Sequence, residues 1–474
     1  MFFLLEVITP DGSRTEYAYD GLGNLISETD ALGNTVSYSY TPEGWLESET
    51  DGEGRVTAYE YDRTGNLTCK RYSDGSVETM EWTPVGQLSV IRNADGETAC
   101  LYDEGGRLLA VMEPDGSTVR YTYDDYGNRT SVTYPDGKRA EYTYDIMNRM
   151  VKVKGADGKV TKYAYDALGR LVLTDGAKTD TSYAYNETGS LVEQSVTGAY
   201  EERYEYSYDR AGRMTKEIRT GKNGAAETNE YSYDALGQLT RWNGEHYTYD
   251  AAGNMLSKGN IKYSYNAGNQ LVSDGVDTYA YDKNGNLTQK GDVKYTYNTR
   301  NLLESRTDGT VAETYTYNAF GLLKSIDTGS GTTTFTWDIL NGDGQMLSSA
   351  SNGITTDYTY GLERISAVTG SARTEYVYDG RGSVSAELTY NGAWYTLGGL
   401  LSSCETSVKK YSPFGEDLTG TSSRFVYSLQ MILWIVEGEI DMQSTKMVCA
   451  SRNNFANNKQ LHTIIYCPEI ICAC

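Results

Sequence analysis

The sequence predicts an all-β chain: a repeat array of antiparallel β-hairpins coiled into a spiral strip or a partial hollow shell. Three observations carry this. A Tyr-x-Tyr-Asp pattern, with tryptophan or asparagine as occasional substitutes, recurs nineteen times along the 474 residues. Glycine or asparagine follows at a fixed distance in almost every copy. Tyrosine and glycine number 43 and 50, against only seven phenylalanines and seven prolines, which is the composition of strands joined by tight turns.

The second aromatic of each unit falls at Tyr19, Tyr40, Tyr61 and Trp82 and continues in phase to Trp337, Tyr360 and Tyr378. Spacing is 20 or 21 residues early, contracts to 16 between Tyr233 and Tyr297, then returns to about 20. Such a period marks a repeat architecture rather than three ordinary domains.

Each unit reads as two strands and two turns. Thr118 to Tyr123 alternates and is rich in β-formers, so it is a strand. Asp124 to Gly127 makes a turn, and Arg129 to Tyr134 is the return strand. Pro135-Asp136-Gly137 makes the second turn, Asp-Gly being a strong hairpin signal. Four residues after the second aromatic, fourteen of nineteen units have glycine, as at Gly127 and Gly169. Four others have asparagine, at Asn148, Asn269, Asn301 and Asn341, and one has Arg364. Glycine and asparagine tolerate positive φ, so the turn requires a left-handed residue there. Two residues later, sixteen of nineteen units are apolar, as at Leu25 and Leu171. This residue can sit beside the tyrosines of the preceding strand, placing a Tyr/Leu ladder on one face and small polar groups on the other.

Nineteen units with two strands each give about 38 strands. Open twisted sheets rarely exceed ~10 strands without curling, so successive hairpins must coil. The connections are too short for βαβ crossovers, and the pairing is therefore antiparallel.

Composition narrows the function classes. Net charge is -23, and no basic stripe for nucleic acid is visible. An anionic membrane surface would repel the chain. The apolar runs Met1 to Ile8 and Leu429 to Val436 are too short for an export signal or a membrane span. Only two histidines occur, His246 and His462, which leaves little room for a Ser-His-Asp or Cys-His relay. Cys467, Cys472 and Cys474 near His462 fit no common zinc spacing. Cys69, Cys100 and Cys404 are too sparse for a disulfide framework. Asn341-Gly-Asp343-Gly and Asp274-Gly-Val-Asp277 lack the ligand spacing of a calcium loop. The expectation is no cofactor and no metal.

The repeats resemble the YD-repeat or Rhs family. Tyr121-Thr-Tyr123-Asp124 and Tyr163-Ala-Tyr165-Asp166-Ala-Leu-Gly169-Arg170-Leu171 carry the likeness, which runs from about residue 7 to 425. Tyr376-Val-Tyr378-Asp379-Gly380-Arg381-Gly382 and Tyr411-Ser-Pro413-Phe414-Gly415 look like the opening of an Rhs-associated core. The family includes bacterial polymorphic toxins, insecticidal toxin shell subunits and animal teneurins. The resemblance implies a hollow shell that encloses or presents a C-terminal or separately encoded effector, in a protein of the cell surface or exterior. It also implies an aspartyl self-cleaving core with Asp-Pro motifs. No Asp-Pro occurs in this chain, so no cleaving residue carries over.

The organisation expected is a repeat shell over 1–398, the start of the core over 399–425, and a divergent tail over 426–474. The last 49 residues hold one glycine, two tyrosines, four cysteines and seven isoleucines. The tail reads as a break in the core, such as a shift of reading frame, rather than an effector domain. The abrupt start, already mid-repeat at Val7, is consistent with missing upstream units. The regular recurrence of Asp124, Asp166 and their equivalents argues for structural turns. Tyr121, Tyr123, Tyr163 and Tyr165 read as packing residues, although aromatic faces also stack on sugars. A carrier shell is the first functional expectation, and no enzymatic activity is expected. An extracellular cell-contact or carbohydrate-binding protein, with a cell-surface glycan or protein as partner, is the alternative.

Overall fold

The computed structural model of the chain describes residues 3–340, 344–391 and 405–408. These are strands and turns, with no helix among the described residues. Successive strands pair antiparallel with their neighbours in sequence, so the topology is one long meander. Thr118–Tyr123 shows the reason. Val119 and Tyr121 are buried while Arg120 and Thr122 are exposed, the period-2 split that a half-buried strand requires. Its partner Arg129–Thr133 ends one residue earlier than expected, because Tyr134 opens the next turn.

The two turns of a unit share one backbone geometry. The Asp124 N–H bonds the Asn128 carbonyl at 3.0 Å and the Gly127 N–H bonds the Asp124 carbonyl at 3.1 Å. Tyr134, Gly137 and Lys138 repeat the pattern at the other edge. Gly127 and Gly137 both have φ of 86°. This is a longer hairpin link closed by one left-handed residue, not a two-residue Asp-Gly turn. Two-residue links with both central residues left-handed do occur, at Asn243-Gly244 and Asn352-Gly353. In the Tyr-Asp hairpin the ladder slips by one residue: Thr122 faces Ser131 but Tyr123 faces Arg129, leaving Thr130 bulged.

Asn148, Asn269 and Asn301 take the left-handed place with φ of 59°, 58° and 57°. Two units depart from the expected spacing. Trp337 pairs with Met346, nine residues on, where Tyr378 pairs with Val384, six on. Gly344, with φ of 80°, and Met346 therefore replace Asn341 and Asp343, which lie outside the described residues. Tyr360 pairs with Arg364 across a shorter turn, so Arg364 fills the leucine place rather than the glycine place.

Pairing is continuous from Glu6 to Lys262. It breaks where the repeat contracts: Ile261–Lys262 and Ser264–Tyr265 are two-residue strands on either side of Tyr263. The single bridge from Ser273 to Thr278 joins the following hairpins. Beyond this corner a 13-stranded stretch, beginning at Tyr279–Tyr281, lies against the first. Arg55 bonds the Asn298 carbonyl at 3.0 Å, and Arg300 pairs with Glu78 at 2.7 Å. Lys324 pairs with Asp95, Arg129 with Asp338 and Arg373 with Asp157. The Gly380 N–H reaches the Tyr206 hydroxyl at 2.7 Å. These contacts advance in the same direction along both stretches, so the strip winds over itself as a spiral. Between the windings Val111, Tyr121, Val132, Tyr142 and Tyr163 share a core with Leu347, Phe320 and Ile365. Of the tail and core expectations, 399–404 and 409–474 fall outside the described residues, as do His462, Cys404 and the C-terminal cysteines.

A Cβ on Gly127 would meet nothing within 4 Å, so its requirement is one of backbone alone. Gly127→Val should destabilise by ~1–3 kcal/mol, and Gly127→Asn should be much milder, read by chemical denaturation. Equal stability of the valine variant and the parent would contradict the left-handed turn.

Candidate functional site

Where aspartate follows the second aromatic, its carboxylate closes the turn. Asp124 Oδ1 accepts the N–H groups of Tyr126 and Asn128 at 3.0 and 2.8 Å, and Oδ2 accepts Asn128 Nδ2 at 3.0 Å. Asp166 does the same with Leu168 N–H, Arg170 N–H and Arg170 Nε at 2.9, 2.9 and 2.7 Å. Ionised carboxylates are strong acceptors of such bonds. The Asn128 side chain holds Asp124 below the ordinary carboxyl range, and the Arg170 backbone N–H does so for Asp166.

The second tyrosine joins units together. The Tyr123 hydroxyl donates to the Leu108 carbonyl of the preceding unit at 2.8 Å, Tyr165 to Met150 at 2.7 Å, and Tyr185 to Leu171 at 2.8 Å. Where tryptophan replaces tyrosine, its indole N–H makes the same bond: Trp82 to Leu67 at 2.7 Å and Trp337 to Leu323 at 2.6 Å. The first tyrosines, Tyr121 and Tyr163, lie in the core between the windings. The structure thus sets Tyr121, Tyr123, Asp124 and Gly127 in one hairpin, and Tyr163, Tyr165, Asp166, Gly169 and Leu171 in another. It does not gather them into one pocket.

One participant escaped the sequence reading. The residue after the left-handed position is repeatedly asparagine or arginine, as at Asn24, Asn66, Arg107, Asn128, Arg149 and Arg170. The arginines clamp their own aspartate and also lie over the next unit's tyrosine. Arg149 is 4.8 Å from the Tyr165 ring centre, Arg170 4.8 Å from that of Tyr185. Arg107 lies 5.2 Å over Tyr123 and bonds the Asp124 carbonyl at 2.9 Å. The recurrence was visible in the sequence, but its cross-unit reach was not. Arg129, in a leucine place, lies 5.0 Å over Tyr142 and crosses the seam to Asp338.

A polar cleft of about 360 Å³ opens where the windings meet, lined by Asp51, Arg55, Tyr59, Tyr72 and Glu78 on one side and Arg300 on the other. Its two arginines are paired: Arg55 with Asp51 at 2.8 Å, Arg300 with Glu78 at 2.7 Å. The Tyr72 hydroxyl donates to Glu78 at 2.9 Å. Among the described residues no group of three His, Cys, Asp or Glu is placed to hold a metal. Asp274 closes its own turn, accepting from Val276, Asp277 and Tyr279. Cys69 and Cys100 are buried free thiols, and burial pushes Cys100 up to about 11. The polar contacts described above close turns, join successive units or join the two windings.

The carboxyls of Asp124 and Asp166 lie below their ordinary 3.8 in the fold. Their stabilisation is therefore complete above about pH 4 and is lost as pH falls through the folded values. The urea midpoint should drop steeply below pH 4, and Asp124→Asn with Asp166→Asn should flatten that drop. Asparagine already holds this place at Asn186, Asn298 and Asn318. An acid limb unchanged in the double variant would contradict the carboxylate clamp.

No curated protein matches the chain in sequence. The RHS repeat family matches residues 4–35, 19–56, 40–77, 102–139, 130–158 and 148–180. The teneurin YD-shell family matches residues 203–310. Among solved structures, the chain is similar to the TcdB2-TccC3-TEV crystal structure, at 14% identity and a TM-score of 0.59. A mutant Tc holotoxin pore from Photorhabdus luminescens matches at 14% identity and a TM-score of 0.57. Both likenesses cover 85% of this chain and 26% of the other, so this chain spans about a quarter of their length. At that identity they establish the fold: a long antiparallel hairpin strip. The chain belongs to the YD-repeat, or RHS-repeat, family.

Proposed function

We propose that this chain builds part of the wall of a carrier shell of the Rhs and Tc-toxin kind, encapsulating or presenting an effector. The effector is either C-terminal to the shell or separately encoded. The observation that supports this most is the seam. The Tyr-Asp turns of one winding seat on the other, as Gly380 does on Tyr206 and Asn284 on Asp51 at 2.8 Å. A strip that overlaps itself in this way makes a curved wall, and a wall has an inside. The two Tc-toxin likenesses point the same way. An extracellular or cell-surface location goes with this reading. No helix among the described residues is long and apolar enough to cross a membrane.

Use of the tyrosine ladder as a glycan platform is disfavoured by its packing. The rings of Tyr121, Tyr142 and Tyr163 are buried, and the hydroxyls of Tyr123, Tyr165 and Tyr185 are already bonded to backbone.

Solution scattering of the monomer tests the carrier reading. A compact globule of 474 residues should have a radius of gyration of ~23 Å. A larger radius, with a depleted centre in the distance distribution, is expected. A solid profile at the compact value would remove the lumen and, with it, the reason to call the chain a carrier.

A further inference from the structure

The two edges of the strip differ in chemistry between the windings. Successive turns alternate edges, so all Tyr-Asp turns line one edge and all second turns line the other. In the seam, polar tips of second-winding Tyr-Asp turns meet acidic second turns of the first winding. Asn284 Nδ2 bonds Asp51 at 2.8 Å, the Thr299 hydroxyl bonds Asp74 at 2.9 Å, and Arg300 bonds Glu78 at 2.7 Å. Such contacts are satisfied within one chain.

Among the described residues, the edges left over carry exposed apolar side chains set between polar ones such as Arg63, Glu104 and Glu187. The first winding carries Val85, Tyr126, Ile146, Met147 and Leu168 at the tips of its Tyr-Asp turns, all exposed, Ile146 at 99%. Three successive units supply Tyr126, Ile146 with Met147, and Leu168. Turns two strands apart stand ~10 Å from one another, so these side chains form a row of ~20 Å. On the opposite edge the second winding exposes Val276, at 86%, together with Val311 and Ile354. The successive tips from Tyr126 to Leu168 make a contiguous apolar row, the kind of patch that marks an interaction surface, and Val276, Val311 and Ile354 stand on alternate second turns of the facing edge.

We propose that a second copy of this chain stacks head-to-tail on the first, the Tyr-Asp tips of one copy seating on the outer second turns of the next. The contact continues the geometry of the internal seam, a Tyr-Asp edge on a second-turn edge, with apolar partners in place of polar ones. Two different surfaces meet, so the contact is heterologous and does not close on itself; stacks lengthen with concentration.

Two blocked variants of the full chain test this: Ile146→Asp with Met147→Asp on the tip edge, and Val276→Asp with Ile354→Asp on the turn edge. Exposure of all four side chains leaves the fold intact, checked by unchanged thermal melting. Should the first variant melt earlier, Tyr126→Ser with Leu168→Asp blocks the same edge. By sedimentation, the parent should at least double its weight-average mass as concentration rises. Each variant alone should stay monomeric. An equimolar mixture of the two should stop at a dimer, because each retains one complementary edge. A monomeric parent, blocked variants that associate like the parent, or a mixture that stays monomeric would overturn the proposal.

Discussion

The structure depends on one bond repeated along the strip: the hydroxyl of the second tyrosine donated to a backbone carbonyl of the unit before. Tyr123 to Leu108, Tyr144 to Arg129 and Tyr165 to Met150 are consecutive instances at 2.8, 3.0 and 2.7 Å. The accepting carbonyl opens a return strand where the ladder slips at the bulge. A phenylalanine ring would fill the same space and leave that carbonyl without its partner. This favours tyrosine over phenylalanine at the second aromatic of a unit. It also explains why tryptophan, another aromatic with a donor, is the residue that substitutes at Trp82 and Trp337.

Everything larger follows from linking hairpins in this way. Because each unit is tied to its predecessor at the Tyr-Asp edge, the strip acquires a consistent edge that can be seated on something. The contracted units between Tyr233 and Tyr297 supply the corner. Their strands shrink to two or three residues around Tyr263 and Tyr279, too short to carry the sheet on unbroken. Beyond the corner the Tyr-Asp turns meet the first winding, and the arginines at their tips find partners. Arg381 reaches Asp379 at 3.0 Å in its own turn and Glu217 at 3.6 Å across the seam. Buried cations cost least when paired in this manner.

The sequence made the local layer legible because the repeats test one another. A glycine that recurs four places after an aromatic, with asparagine as its substitute, has few explanations other than left-handed backbone. The positive φ at Gly127, Gly169, Asn148 and Asn269 has that origin. Arg364 was misplaced because a shorter turn moved it into the leucine place, a length change that counting from the aromatic cannot detect. There it lies 4.2 Å over the Tyr376 ring. The pairing of windings was hidden for a different reason. Nothing local in Arg129 or Asp338 names the other, since their meeting is set by the pitch of the spiral and the position of the corner. The cross-unit role of Arg149 and Arg170 lay between these cases, periodic in sequence but readable only once the tyrosine beneath was placed.

The most direct test of the hydroxyl link compares tyrosines that make it with one that does not. Tyr126 sits exposed at a turn tip, whereas Tyr123, Tyr165 and Tyr185 donate to the preceding unit. Urea unfolding of single Tyr→Phe variants isolates the hydroxyl with no change in ring. Each linked position should lose ~1 kcal/mol, and Tyr126→Phe should be neutral. Equal stability across all four variants would contradict the account.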